Sequence, residues 1–134
     1  MRNATEGFLA AKCGSFSDVS SPLQLEVMAV RIGLIWAFEM GFSNILCESN
    51  SLQIVKASRD PSINLSSLGQ LIEDIKSLAP AVTKVPITHV RRQANGVAHR
   101  LARLGLSVDQ CVEWLGSPPS IIIDVLAADC HPTV

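Results

Sequence analysis

Two groups of side chains in this sequence could do chemistry. The first is a set of metal donors, Glu26, Glu48, His89 and His99. Carboxylate oxygens suit hard cations such as magnesium, whereas imidazole nitrogen suits zinc and other transition metals. Glu26 with the two histidines therefore reads as a candidate zinc or manganese site, with no spacing that fixes its geometry. The second group is a run of cations. Lys84, Arg91, Arg92, Arg100 and Arg103 fall in a stretch without Asp or Glu, and beyond Arg103 there is no Lys or Arg but Asp109, Glu113, Asp124 and Asp129. A local basic surface of this kind can hold phosphates without reading base sequence. An ordinary solvated face is the alternative reading on charge alone.

The elements that must position these residues follow from periodicity and punctuation. Residues 7–13 read as a strand and 14–20 as a small polar loop. Ser21, Pro22 and Gln24 form a helix start, with Ser21 as cap, Pro22 in the first turn and Gln24 completing a capping box. That helix is expected to run through Met40 and stop at Gly41. Its apolar face is expected at Leu25, Met28, Ala29, Ile32, Ile35, Trp36 and Glu39 or Met40. A strand is predicted over 42–50, a short helix over 52–57 and a break at Asp60-Pro61. A second long helix is predicted over 65–78, ended by Pro80, with Leu68, Leu71, Ile72, Ile75 and Leu78 in register. A strand over 85–90, a helix over 94–104 closed by Gly105, and a short apolar helix near 121–128 complete the reading. Strands alternating with helices imply an α/β layer with at least one parallel strand pair. We expect one domain over 1–106 and a C-terminal extension over 107–134.

Composition bounds the function classes. Of 134 residues, 48% are hydrophobic and 17% charged, which fits a folded core and excludes a disordered chain. The net charge of -1 means that no global basicity advertises nucleic acid. Four cysteines stand apart without a CxxC pair, so no zinc-ribbon framework is expected. No leader and no apolar run of membrane-spanning length is read. The expectation is an intracellular protein, nuclear or cytoplasmic, with no membrane partner.

Four motifs in order carry a resemblance. They are Ser21-Pro22-Leu23-Gln24-Leu25-Glu26, Cys47-Glu48-Ser49-Asn50-Ser51, the stretch from His89-Val90-Arg91-Arg92-Gln93-Ala94-Asn95 through Gly96-Val97-Ala98-His99-Arg100-Leu101-Ala102, and Glu113-Trp114-Leu115-Gly116-Ser117-Pro118-Pro119. Together they resemble RNase H type 1, in particular its retroelement-derived branch common in plants. The resemblance implies an RNase H-like three-layer α/β/α fold with a mixed sheet. It also implies that the first two family strands, one of them central, have no counterpart here. Arg2-Asn3-Ala4-Thr5-Glu6-Gly7 stands where the family often has the turn after them. A sheet edge exposed in this way invites a second chain, hence an expected homodimer.

The resemblance also implies chemistry. Family members cleave the RNA strand of an RNA–DNA hybrid with two Mg2+ ions about 4 Å apart, held by carboxylates. Glu26 matches the family's helix glutamate. Asn50 and His99 stand where two further carboxylates are expected, and the first-strand aspartate has no counterpart. Glu48, two residues before Asn50 on the same strand face, is a second candidate metal carboxylate. His89 matches a mobile histidine that assists product release, or simply ends a strand. Asn95 either caps the following helix or touches the hybrid. Arg91, Arg92, Arg100 and Arg103 are the expected phosphate contacts. The chain is thus predicted to be a hybrid ribonuclease by family and inactive or very weak itself. The alternatives are a non-catalytic nucleic-acid-binding module and a decayed retroelement fragment that only self-associates.

Overall fold

The computed structural model describes residues 10–13, 21–91, 96–105 and 112–115. Among these the chain forms β1 (Ala10–Cys13), α1 (Pro22–Glu39), β2 (Glu48–Ser49), α2 (Leu52–Arg59), α3 (Gly69–Val82), β3 (Thr88–His89), α4 (Gly96–Gly105) and β4 (Val112–Leu115). This is a mixed α/β architecture with a small parallel sheet, consistent with an RNase H-like fold. The chain divides into two compact units, residues 18–91 and residues 1–17 with 92–134. No helix among the described residues is long and apolar enough to cross a membrane.

The 18–91 unit holds α1, α2, α3 and the parallel pair β2–β3, with Glu48 opposite Thr88 and Ser49 opposite His89. Helix α1 starts as its sequence dictates. Ser21 has an extended backbone and its hydroxyl accepts the Gln24 N–H at 3.1 Å, satisfying an amide that has no partner within the helix. At the other end Gly41 adopts φ +83°, donates to the Phe38 carbonyl, and lets Phe42 donate to Ala37, each at 3.0 Å. These two bonds complete a Schellman cap.

The buried face of α1 meets expectation at Trp36 and differs elsewhere. Val27, Leu34, Trp36 and Ala37 are buried, whereas Leu25, Ala29 and Met40 are exposed. The helix is apolar almost all round, so spacing alone does not select the face that α3 covers. Helix α3 buries Gly69, Ile72, Ile75 and Val82. With Ile54 and Val55 from α2 and Ile87 before β3, these residues form an aliphatic core. Each fully buried aliphatic side chain contributes about 1.5–3 kcal/mol.

Helix α3 is also displaced from its predicted span. It begins at Gly69 rather than Leu65 and passes through Pro80 to Val82. A proline near the end forfeits one backbone bond, while the turn beyond it still closes through Thr83 N–H on the Ala79 carbonyl at 2.8 Å. Gly69 has a packing reason: a Cβ there would overlap the Asn64 carbonyl oxygen. The two inner strands are shorter than predicted. A parallel bridge joins Ile45 to Thr83, and the ladder resumes at Glu48–Thr88. The second segment therefore carries two more residues between these points than the first. Pro86 lies in that surplus and cannot donate to a ladder, so the strand expected over 85–90 regularises only at Thr88–His89.

In the other unit β1 pairs antiparallel with β4, from Ala10 opposite Leu115 to Cys13 opposite Val112. Helix α4 packs on β1. Strand β4 lies within the residues expected as a C-terminal extension. The short helix expected near 121–128 lies outside the described residues.

Candidate functional site

Three candidate residues of the 18–91 unit, Glu48, Asn50 and His89, lie on or directly after β2 and β3. Parallel pairing sets Ser49 beside His89, and Val90 N–H donates to the Ser49 carbonyl at 3.0 Å. Asn50 follows directly, at the turn from β2 into α2. Two hydroxyls build that turn. The buried Ser49 accepts the Ser51 N–H at 3.1 Å, and Ser51 caps α2 by accepting the Ile54 N–H at 3.4 Å. Asn50 is half-buried between them. His89 and Glu48 are exposed on their strands, and Glu26 is exposed on the second turn of α1.

The positions of Arg92 and Asn95 lie outside the described residues. His99, Arg100 and Arg103 lie on α4 in the other unit, and the side chains of His99 and Arg103 are likewise outside the description. Within the 18–91 unit, β2–β3 pairing sets Asn50 one residue beyond the Ser49–His89 pair, with Glu48 two residues before Asn50 on β2. Arg91, two residues after His89, is exposed.

One contributor is not apparent from sequence. Arg59, in the last turn of α2, donates through Nε and Nη2 to the Ile87 carbonyl at 3.1 and 2.8 Å. It ties α2 to the segment that becomes β3. In sequence it reads only as a cation favoured by the helix C-terminus, because its partner is 28 residues away.

Cys47, beside Glu48, is held as a thiol. Burial, and secondarily the Glu48 carboxylate, push it from 9.0 up to about 11. A thiolate nucleophile at neutral pH is therefore disfavoured. Asp60, at the exposed end of α2, is shifted the other way. The Ser62 hydroxyl and then the Ser62 N–H hold its carboxyl below the usual range.

Among the described residues, the donor set does not suit a pair of magnesium ions. Magnesium takes near-octahedral oxygen coordination with anionic carboxylates. Glu26 and Glu48 are exposed on separate elements, and the residue at the end of β2 is a neutral amide. Among the described residues, no three of His, Cys, Asp and Glu gather closely enough to hold a metal ion.

A family model described as reverse transcriptase-like matches residues 1–105. No curated protein and no solved structure matches the chain. The match covers all the elements from β1 to α4, with Ser21–Glu26, the β2–α2 turn and the β3–α4 stretch inside it. The chain belongs to the reverse transcriptase-like family, which is RNase H-like.

Proposed function

We propose that this chain is a catalytically degenerate RNase H-like domain that binds nucleic acid through phosphate contacts. The observation that carries the reading is Asn50. It occupies the turn after β2, beside β3, where the resemblance calls for a carboxylate, and an amide supplies no charge to a divalent cation. Glu26 and Glu48 are the remaining candidate metal ligands, and His89 and His99 offer nitrogen, a poor donor for Mg2+. Arg91, Arg92, Asn95, Arg100 and Arg103 retain the means of touching a sugar–phosphate backbone. The three-layer arrangement and retroelement descent belong to the same proposal.

Two assays test it. Incubation with a labelled RNA–DNA hybrid in Mg2+, and separately in Mn2+, is expected to give no cleavage above background. Cleavage that vanishes in Glu26→Ala would overturn the degeneracy. Titration of the same hybrid at low and high salt is expected to show binding that weakens steeply with salt. Absence of binding at low salt would remove the nucleic-acid reading.

Self-association is a second reading with its own observation. Among the described residues the β2–β3 sheet has two strands, and Leu46, beside β2, is 77% exposed. Parallel sheets are ordinarily covered on both faces, and an open edge invites another strand. Light scattering decides it: a dimer supports pairing through this edge, and a compact monomer at high concentration excludes it.

A further inference from the structure

The 18–91 unit treats its cations in two ways. Arg31 of α1 pairs with Asp74 of α3 at 3.0 Å, and within α3 Lys76 pairs with Glu73 at 2.8 Å. On the side of α2 and β3, Lys56, Lys84 and Arg91 join no ion pair among the described residues. Arg59 donates to a neutral carbonyl, which orients its charge without cancelling it. All four of these cations are exposed.

Arg59 links the cations of α2 to the stretch from Lys84 to Arg91. The guanidinium of Arg59 is anchored at Ile87, with Lys84 three residues before that anchor and Arg91 four after it. Fully extended, the stretch from Lys84 to Arg91 spans at most about 25 Å. Lys56 lies one turn before Arg59 on the same side of α2. Cations strung out in this way do not converge on a single phosphate. They suit a polyanion whose charges recur about every 3.4 Å along each strand. Among the described residues, Asp60 follows α2 and Glu48 lies on β2. Asp60 engages its carboxylate with the Ser62 N–H and hydroxyl at 2.9 and 2.6 Å. Glu48, exposed and opposite Thr88, is the acid left on the sheet.

We propose that Lys56, Arg59, Lys84 and Arg91 form one phosphate-contacting strip across α2 and β3. It takes the backbone of a nucleic-acid duplex, and Glu48 limits its affinity. The inference rests on the nucleic-acid reading above and extends it from the cations after β3 onto α2, a helix that reading does not use.

The test is a fluorescence-anisotropy titration of the full chain with a labelled RNA–DNA hybrid duplex between about 50 and about 200 mM salt. Lys56→Gln with Lys84→Gln removes two charges that make no hydrogen bond or ion pair among the described residues. It is expected to flatten the slope of log affinity against log salt by about 1.8, the loss of two phosphate contacts. Glu48→Gln is expected to tighten binding several-fold at the lower salt. Arg59→Gln is expected to weaken binding too, with circular dichroism confirming the fold. If the wild type binds and the double variant keeps its slope, the strip is wrong and the broader reading stands. If the wild type does not bind the duplex at low salt, the broader reading itself fails. Preference for phosphatidylserine vesicles over the duplex overturns the choice of polyanion.

Discussion

Helices α1 and α3 and the β2–β3 pair with α2 hold together by different means. The helix pair buries Val27, Leu34, Ile72 and Ile75 and closes its rim with Arg31–Asp74. The strand pair has two ladder residues on each side, and hydrogen bonds carry more of the load: hydroxyls at Ser49 and Ser51, and the Arg59 clamp on Ile87. Of the candidate functional residues, Glu48, Asn50, His89 and Arg91 lie in the second region, whereas Glu26 lies on α1. Stability and chemistry are therefore largely separated, and substitutions should sort by region.

The sharpest separation should come from the core. Ile75, fully buried, is expected to cost about 2–5 kcal/mol when changed to Ala. Urea denaturation followed by circular dichroism measures this, and a cost under about 1 kcal/mol would break the comparison. Next is Gly69→Ala, whose added Cβ meets the Asn64 backbone. Forced overpacking of this kind is expected to cost about 1–3 kcal/mol, read as a lower denaturation midpoint. Arg59→Gln should cost about 1 kcal/mol through lost hydrogen bonds to Ile87. Hydrogen exchange should localise that loss at Thr88 and Val90, whose amides pair with β2, leaving α1 protection unchanged. The smallest effect is expected from Arg31→Ala. Its pair with Asp74 is about a third exposed on both sides, so the loss should stay below about 1 kcal/mol and shrink further in salt.

Cys47 adds a pH test of the second region. Its folded-state pKa is raised, so between 9.0 and about 11 the unfolded chain releases a proton that the folded chain keeps. Stability is then unaffected by this group below pH 9 and falls as pH rises toward 11. Midpoints measured across that window, in wild type and Cys47→Ala, should diverge; parallel curves would show that the thiol is not held in its buried form.

Much of this was legible from residues close together in the chain. Ser21 and Pro22 announce α1, and Gly41 announces its end. These are local decisions, settled by which backbone amides need a partner and which residue tolerates positive φ. What sequence did not disclose depends on distant neighbours. The buried face of α1 is chosen by α3, because α1 offers apolar residues in nearly every direction. The extension of α3 past Pro80 depends on how little a proline costs near a helix end. The partner of Arg59 becomes visible only once residues 59 and 87 meet. For the candidate site, the motif order brings Asn50 beside the β3 end that carries His89, whereas the cations of α2 belong to no motif and emerge from charge pairing elsewhere in the unit.

The turn around Asn50 has an evolutionary consequence. The residues on either side of it make the bonds that seal the strand to the helix, and among the described residues Asn50 itself makes none. Selection for folding therefore falls on Ser49 and Ser51, and position 50 can change its chemistry at little structural expense. A domain assembled in this way can lose or regain a carboxylate in one substitution while its architecture persists, so the shape of such a protein outlasts any record of what it once did.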